Sequence, residues 1–393
     1  MSIKVCIVTF EYPPLVGGVG QSVCRIASML GEKDFEIHIA FLRKDTTNFD
    51  IDVRRTYRTS SEQGKVTVHH IYPLIKQNSS SNAEYYLEAS NQIKSLHNKY
   101  NFDIFHGFYI SESGFLTTMI AKEVNRPVIC SIRGSDIKRD IFQKANSHIM
   151  WALANADMLT FVSAELMNLA EILVRGIKNK SKIIWNSVSP LEFDNLETPI
   201  QFTTMQRPVI GALGQFRQKK GVEFLIEACE KISIPSYTLF LIGDFKEVEK
   251  EFWQMELNAS RIKDKVVLTG LLPHKQALAC LKQVDIFVLP SINEGCPNAL
   301  LEAMMTEKPI VATRVGAVQE ILENHIDAIL VHPESSLEIA QALEKIVCDP
   351  VLAKSLGANA KKKAFSALSP QVELTNWENC YRELLTGSTA ERD

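Results

Sequence analysis

Residues 284–323, VDIFVLPSINEGCPNALLEAMMTEKPIVATRVGAVQEILE, decide the fold of this chain. The apolar run 285–290 predicts a buried strand, and the Gly and Pro within 291–297 end that strand in a loop. Asn298 then opens a run of strong helix formers, and residues 308–313 predict the next buried strand. The stretch is therefore a βαβ unit.

The loop and the helix start of this unit favour an anion, usually a phosphate, because free backbone N–H groups point out of a helix N-terminus. Asn298, Ala299 and Leu300 supply those N–H groups. Glu294 in the loop and Glu302 one turn into the helix frame the same place, and carboxylates accept hydrogen bonds from hydroxyl-rich ligands. The pattern predicts a ligand with both phosphate and sugar. The alternative for an isolated Glu pair is a stabilised helix start and a solvated loop acid.

The sequence of the longer segment 294–322 closely resembles the E-x7-E signature of retaining glycosyltransferases of family 4 (glycosyl transferases group 1). Glycine, acidic and apolar positions agree over the whole stretch. The resemblance implies an α/β chain of GT-B fold: two Rossmann-like doubly wound parallel-sheet domains facing across a cleft, with a C-terminal helix crossing back to the first domain. It also implies that Glu302 binds the ribose of a nucleotide sugar, that Glu294 lies by the sugar, and that the amides of 298–300 hold the diphosphate.

The length of 393 residues exceeds one ordinary core, so two domains are expected. We expect a first, acceptor-binding domain at 1–190, a linker at 191–207, a nucleotide-sugar-binding domain at 208–370, and the crossover helix and tail at 371–393. The chain shows no apolar span of membrane-crossing length, and its opening residues lack a signal-peptide pattern. The sequence therefore predicts a cytoplasmic protein.

The distribution of charge and of cysteine limits the kinds of partner and metal site that are expected. Residues 1–190 carry 22 Lys and Arg against 18 Asp and Glu, a net +4, which leaves −7 for the rest of the chain. A mildly basic first half suits an anionic acceptor or peripheral contact with a membrane, although a solvated surface is the alternative. The eight scattered cysteines indicate neither a zinc site nor a disulfide framework. No D-x-D pair sits at a strand end, so we expect metal independence. We also expect no cofactor, because the nucleotide sugar would be a substrate, and no nucleic-acid partner.

The chain begins as β-loop-α-β, with Gly17, Gly18 and Gly20 in the first loop. Their GG-x-G spacing differs from the G-x-G-x-x-G of a dinucleotide fold. Glycine lets backbone approach a ligand closely, but a tight turn needs the same residues. The resemblance implies that Gly17 and Gly18 lie against donor phosphate and acceptor. In the helix that follows, the residues predicted to share one apolar face are Val23, Ile26, Ala27 and Leu30.

His106, Arg133 and Asp136 follow apolar runs predicted to be strands of one parallel sheet, whose ends converge on a common crevice. Related enzymes are similar in having a histidine at position 106 and a T-x-H-G-x-D strand end. Here Arg133 replaces that second histidine. Arginine stays charged and cannot shuttle a proton, so we expect Arg133 to bind an anion or an acceptor hydroxyl, and Asp136 is a second acceptor-binding candidate. His106 is a catalytic candidate or, equally, a satisfied structural residue.

The polar stretch between Arg43 and Lys65 lacks periodicity and predicts an exposed loop. Its Arg54, Arg55 and Arg58 either recognise an anionic or lipid-linked acceptor or are simply solvated.

The second domain repeats β-loop-α-β, and Arg217, Lys219 and Lys220 crowd the loop ahead of a helix. Cations beside a helix start suit a diphosphate. The segment resembles the family's G-R-x-x-x-x-K-G motif, in which Lys220 and Gly221 match while Gln215 replaces the arginine. Lys220 is thus the better supported candidate for binding the diphosphate, and Arg217 is the second. The resemblance also makes Gly214 a donor-binding candidate, and implies that the turn beginning at Leu272 faces the nucleobase.

The sequence thus predicts a retaining, metal-independent glycosyltransferase, with Glu294, Lys220, Arg217 and His106 as catalytic candidates. It would transfer a sugar from a UDP- or GDP-sugar to a hydroxyl of a sugar, lipid-linked or other acceptor, in polysaccharide, glycolipid or glycoconjugate synthesis. A sugar-nucleotide epimerase or hydrolase on the same fold is one alternative. A non-catalytic binding subunit is another, suggested by Gln215, Arg133 and Ser187, the last of which stands where the N-G-V segment of the family that the chain resembles has glycine. The donor base, the sugar, the acceptor and the oligomeric state stay open.

Overall fold

The computed structural model describes residues 2–13, 17–43, 58–61, 65–73, 82–142 and 147–390. The chain divides into two compact units. The first comprises Met1–Trp185 together with Glu373–Asp393, and the second comprises Asn186–Val372. Each unit is built on a largely parallel sheet, which confirms the predicted pair of Rossmann-like α/β domains.

Eight strands form the sheet of the first unit. They are β1 (Ile3–Thr9), β2 (Phe35–Leu42), β3 (Arg58–Ser61), β4 (Val66–Ile71), β5 (Ile104–Phe108), β6 (Val128–Ile132), β7 (Met158–Phe161) and β8 (Ser181–Ile183). Their order is β3-β4-β2-β1-β5-β6-β7-β8, and among these eight described strands only β3 with β4 pairs antiparallel. The order changes direction between β1 and β5, which is where a doubly wound sheet opens a crevice for ligand.

In the described part of this unit, seven α-helices connect or cover the strands. They are α1 (Gly18–Gly31), α2 (Asn82–Tyr100), α3 (Phe115–Glu123), α4 (Ser135–Lys138), α5 (Ser147–Asn155), α6 (Ala164–Leu173) and, at the end of the chain, α14 (Pro370–Ala390). The predicted apolar face of α1 is confirmed, because its four residues have no exposed surface. Burying that face fixes α1 against the sheet and so fixes the loop that precedes it.

The last helix returns to the first unit, as predicted. Trp377 and Tyr381, one turn apart, are 1% and 0% exposed and belong to the core cluster that includes Ile7 and Phe108 of the sheet. Large aromatic side chains dominate the free energy of burial, so this pair anchors the helix.

The second unit has a six-stranded parallel sheet in the order β11-β10-β9-β12-β13-β14. Its strands are β9 (Val209–Leu213), β10 (Thr238–Ile242), β11 (Val266–Leu268), β12 (Ile286–Leu289), β13 (Ile310–Thr313) and β14 (Ile329–Val331). Its helices are α7 (Val222–Lys231), α8 (Glu247–Ala259), α9 (His274–Leu281), α10 (Asn298–Met305), α11 (Val318–Ile321), α12 (Ser336–Cys348) and α13 (Pro350–Ala367). Here the order changes direction between β9 and β12, so the loops after these strands meet.

Three sequence predictions need correction. The stretch between Arg43 and Lys65 is not loop throughout, because β3 lies within it and pairs with β4; Arg54 and Arg55 fall outside the described residues. The glycine-rich loop is shorter than predicted, because α1 already begins at Gly18. His106 lies inside β5 rather than at its end, because the strand continues to Phe108.

Candidate functional site

The loop that follows β12, residues 290–297, lies at the change of direction in the second sheet and is held by three separate segments. The Ile292 N–H donates to the Lys219 carbonyl oxygen at 2.9 Å, and the Ala317 N–H donates to the Gly295 carbonyl oxygen at 2.8 Å. The Asn186 side chain donates to the Cys296 carbonyl oxygen at 3.0 Å. A loop bonded from three sides has a fixed shape before any ligand binds.

Two glycines allow these segments to approach the loop. Gly221 has φ 62° and a Cβ there would overlap the Pro290 carbonyl oxygen. Gly316 has φ 50° and a Cβ there would overlap the carbonyl oxygens of Glu294 and Gly295. Both positions combine a left-handed backbone with a close approach, so each requires glycine for two independent reasons.

Lys220 and Glu294 form an ion pair in this loop. The Lys220 Nζ lies 2.6 Å from Glu294 Oε1, and the Ser291 hydroxyl donates to the same oxygen at 2.8 Å. The Lys220 side chain is 18% exposed and the Glu294 side chain 8%. Burial alone would raise the pKa of Glu294, but the charge and hydrogen bond of Lys220, with Lys219 and the Ser291 hydroxyl, outweigh it and lower that pKa. Glu294 is therefore ionised at neutral pH.

Arg217 begins the turn that ends at Lys220: the Lys220 N–H donates to the Arg217 carbonyl oxygen at 2.7 Å. The Arg217 Nε is buried and has no hydrogen-bond partner within the described residues. A buried donor without a partner is costly, so it marks a place where a bound anion would be stabilised. Arg217 thus lies where it can assist Lys220, two residues after the position that the family motif gives to arginine.

The N-terminus of α10 lies at the end of the loop. Asn298 accepts a hydrogen bond from the Asn186 side chain at 2.7 Å through Oδ1. The Leu300 N–H donates to the Pro297 carbonyl oxygen at 3.1 Å, within the first turn of the helix. That the three amides of residues 298–300 hold a diphosphate stays a prediction. The N–H groups of Asn298 and Ala299 begin the helix ahead of Leu300.

Glu302 lies one turn into α10 and receives a hydrogen bond that the sequence analysis missed. His274, the first residue of α9, donates through Nε2 to Glu302 Oε1 at 2.9 Å. This hydrogen bond raises the pKa of His274 more than burial lowers it, and the negative charges of Glu302 and Glu192 add to the rise. The sequence did contain a signal for His274, because this residue directly follows the turn that was predicted to face the nucleobase and that begins at the half-exposed Leu272.

Gly214 directly follows β9 with φ 149°, and open space lies where its Cβ would be. It therefore presents bare backbone at the change of direction in the sheet, as a donor-binding candidate should.

In the first unit, His106 is fully buried and both of its ring nitrogens have partners. Nδ1 shares a hydrogen bond with the Tyr381 hydroxyl at 2.7 Å, and Nε2 shares one with the Ser131 hydroxyl at 2.7 Å. Burial, with a smaller effect from the Arg133 charge, lowers the pKa of His106 to about 3. A group without exposed surface cannot exchange protons with a substrate. This geometry supports the structural alternative, in which His106 ties α14 to β5.

Arg133 and Asp136 lie together after β6 but have different surroundings. The Arg133 guanidinium donates to the Ser22 hydroxyl at 2.9 Å and lies 5.1 Å from the centre of the Phe108 ring. Asp136 is fully buried and accepts backbone N–H groups of residues 110, 133, 134 and 137. Asp136 thus fixes the turn that carries Arg133, and only Arg133, which is half-buried, has surface to offer an acceptor.

Gly17 precedes α1 and lies against Glu11, so that a Cβ there would overlap the Glu11 carboxylate. Gly18 begins the helix, and its carbonyl oxygen accepts the Ser22 hydroxyl at 2.9 Å. The predicted glycine loop therefore brings a carboxylate close to backbone that has no side chain.

Among the helices of the described residues, none has both the length and the apolar character that crossing a lipid bilayer requires. Within those same ranges, no group of three or more His, Cys, Asp or Glu side chains is placed to hold a metal ion.

Comparisons with known proteins identify both units. The family model of glycosyl transferases group 1 matches residues 197–363, and the glycosyl transferase 4-like model matches residues 21–163. An uncharacterised glycosyltransferase of Methanocaldococcus jannaschii is 26% identical over 375 residues, covering 94% of this chain and 93% of that protein.

Two solved structures have the same fold. Sucrose-phosphate synthase from Thermosynechococcus elongatus has a TM-score of 0.79 at 17% identity and covers 98% of this chain and 100% of its own. HepE of Anabaena, solved in complex with UDP, has a TM-score of 0.76 at 15% identity, with coverages of 98% and 100%. At these identities the likeness shows the fold alone. Together with the two family models, it places this chain among the GT-B glycosyltransferases, with a family 4-like first domain and a group 1 second domain.

Proposed function

We propose that this glycosyltransferase transfers a sugar from a nucleotide-diphosphate sugar to an acceptor hydroxyl, with retention at the anomeric carbon and without a metal ion. The product would be a polysaccharide, glycolipid or other glycoconjugate. The observation that carries the proposal is the ion pair of Lys220 with Glu294 in the loop that leads into α10, with the buried Arg217 Nε in the same turn as Lys220. Lys220 and Glu294 are 74 positions apart in sequence and 2.6 Å apart in space.

The two cations and the helix N-terminus would stabilise the diphosphate as it leaves. Negative charge develops on the leaving group in the transition state, and preorganised donors there lower the barrier more than any other single effect. Lys220 already bonds Glu294, and its three N–H donors let it bond a phosphate oxygen as well. Arg217 adds a second cation. This arrangement supports metal independence, because the protein itself supplies the positive charge.

Glu294 would accept hydrogen bonds from the hydroxyls of the transferred sugar. A carboxylate with a lowered pKa stays ionised at neutral pH, so it is a poor proton donor and a good acceptor. Its negative charge would also stabilise positive charge that develops at the anomeric carbon. Because Lys220 and Ser291 hold the same Glu294 oxygen, we favour the same-face, leaving-group-assisted route over a covalent glycosyl–Glu294 intermediate.

The donor would be a UDP- or GDP-sugar, and Glu302 would bind its ribose. HepE of Anabaena, which shares the fold, was solved with UDP and with UDP-glucose, which supports a UDP-sugar first. On the acceptor side, the half-buried Arg133 guanidinium is held by Ser22 and Phe108, so it is oriented in advance to bind an acceptor hydroxyl or anion.

Donor turnover in two variants tests the site. Lys220→Ala removes the leaving-group cation, and Glu302→Ala removes the ribose acceptor. We expect Lys220→Ala to lower kcat/KM by at least about a hundredfold, as the loss of one transition-state donor does elsewhere. Lys361→Ala is a matched control, because Lys361 also pairs with a glutamate, Glu307, at 3.0 Å but on the surface. Unchanged rates in both site variants would discard this site.

Nuclear magnetic resonance of UDP-sugar and GDP-sugar incubations, with and without acceptor mixtures, separates this proposal from the two alternatives. A transferase consumes donor only with acceptor and gives an α-linked product from an α-linked donor. An epimerase or hydrolase consumes donor without acceptor. A non-catalytic subunit binds donor and leaves it intact.

A further inference from the structure

The hydrogen bond between His274 and Glu302 joins two helices at their starts. His274 is the first residue of α9 and Glu302 lies one turn into α10, 28 positions later in sequence. The Glu302 side chain is 13% exposed, whereas the His274 side chain is 58% exposed. A nearly buried carboxylate is thus held by a histidine that is itself more than half exposed.

Within the described residues, His274 is the one side chain that hydrogen-bonds Glu302. Its bond goes to Oε1, which leaves Oε2 without a hydrogen-bond partner in that part of the chain. A glutamate has three side-chain torsions, and the last is broad, so an unrestrained carboxylate rotates freely. A donor on one oxygen stops that rotation and fixes where the other oxygen points.

The charges around His274 strengthen this bond. Two negative charges favour the protonated ring: Glu302 on α10, and Glu192 in the short helix Pro190–Phe193. The nearest positive charge along α9 is that of Lys275, the next residue. A charged donor to a carboxylate makes a hydrogen bond about twice as strong as a neutral pair. The carboxylate is therefore held most firmly when the ring carries its proton.

We propose that His274 is a positioning residue for ribose recognition: its Nε2–H fixes the Glu302 carboxylate so that two ribose hydroxyls of a nucleoside diphosphate can bind it. This inference rests on the proposed function and goes beyond it by assigning the ribose selectivity to a histidine. His274 touches Glu302 rather than the reacting atoms, so its loss weakens selectivity between ribose and deoxyribose nucleotides without removing the Lys220 clamp.

Binding of nucleotides to the full-length protein tests the proposal by isothermal titration calorimetry. The probes are UDP, GDP and ADP, each with its 2′-deoxy counterpart. A hydrogen bond to a charged group is worth at least about tenfold in affinity, so the wild-type protein should prefer the ribonucleotide by about tenfold or more. His274→Ala should reduce that preference to about threefold or less, because the freed carboxylate no longer meets both hydroxyls in a fixed geometry.

His274→Gln is the decisive companion variant. The glutamine Nε2 lies near the place of the histidine Nε2 and donates without a charge, so it should restore most of the preference. With the wild type, the preference should fall as the pH rises through the pKa of His274, and with His274→Gln it should not depend on pH in that range. His332→Ala is the matched control, because His332 forms an exposed pair with Glu338 at 2.9 Å elsewhere in the same unit.

The outcomes separate the two proposals. If no nucleoside diphosphate binds the wild-type protein, the proposed function fails and this inference fails with it. If the wild type prefers ribonucleotides and His274→Ala keeps the full preference, the positioning role is overturned while the proposed function stands. Loss of preference in His274→Ala with recovery in His274→Gln supports both.

Discussion

Replacing Lys220 by methionine leaves the Glu294 carboxylate buried without its cation. The Glu294 side chain is 8% exposed, and the Ser291 hydroxyl and the charge of Lys219 continue to favour its ionised form after Lys220 is gone. Breaking a buried ion pair from one side costs about 3–5 kcal/mol. Because Ser291 still donates, we expect the free energy of unfolding of the second unit to fall by about 3 kcal/mol at pH 7.5.

The effect of pH has a definite sign. In the wild type the pKa of Glu294 is lower in the folded than in the unfolded chain, so its stabilisation is present above the unfolded pKa and is lost as pH falls through the folded pKa. In Lys220→Met, burial would raise that pKa above its unfolded value. The penalty is then present at neutral pH and disappears as pH falls. The difference between variant and wild type should therefore shrink at pH 4.5.

Urea unfolding of the full chain at the two pH values, with hydrogen exchange in peptides covering β12 and α10, measures this difference. The double variant Lys220→Met/Glu294→Gln removes the buried charge and should return to within about 1 kcal/mol of wild type. Lys361→Met, on the surface, should stay within about 0.5 kcal/mol. A loss below about 0.5 kcal/mol for Lys220→Met, or a difference that does not change with pH, would refute the reasoning.

Two further predictions concern stability. Gly316→Ala should destabilise by about 3 kcal/mol or more, because it adds an overlap with the Glu294 carbonyl to the strain of a left-handed residue. Gly176→Ala, at φ 87° in open space, should cost only about 1 kcal/mol in thermal unfolding, and equal losses would contradict this account. His106 and His69 are buried with their pKa values lowered to about 3. Below pH 6.5 these histidines bind protons in the unfolded chain but not in the folded protein. The free energy of unfolding should therefore fall by about 1.4 kcal/mol per pH unit for each ring. A His69→Asn variant should show a shallower fall between pH 6 and pH 4 in urea titrations, and an unchanged slope would show that His69 does not contribute.

The sequence by itself determined the second unit around β12 and α10, because the apolar runs and the helix formers that make them are contiguous. It also singled out Glu294, Glu302 and Lys220, since their spacing within short motifs is a local property. The amphipathic face of α1 was predicted for the same reason. In each case the pattern lies within about two turns of chain, which is the range over which periodicity carries information.

Only the tertiary structure decided which of these residues meet. The ion pair of Lys220 with Glu294 spans 74 positions, and the hydrogen bond of His274 with Glu302 spans 28. Strand order sets the first of these contacts, because the loops after β9 and β12 become neighbours where the sheet changes direction. The burial of His106 likewise depends on Tyr381, 275 positions away. A linear pattern records which face of a strand or helix is apolar, but it does not record which distant segment covers that face.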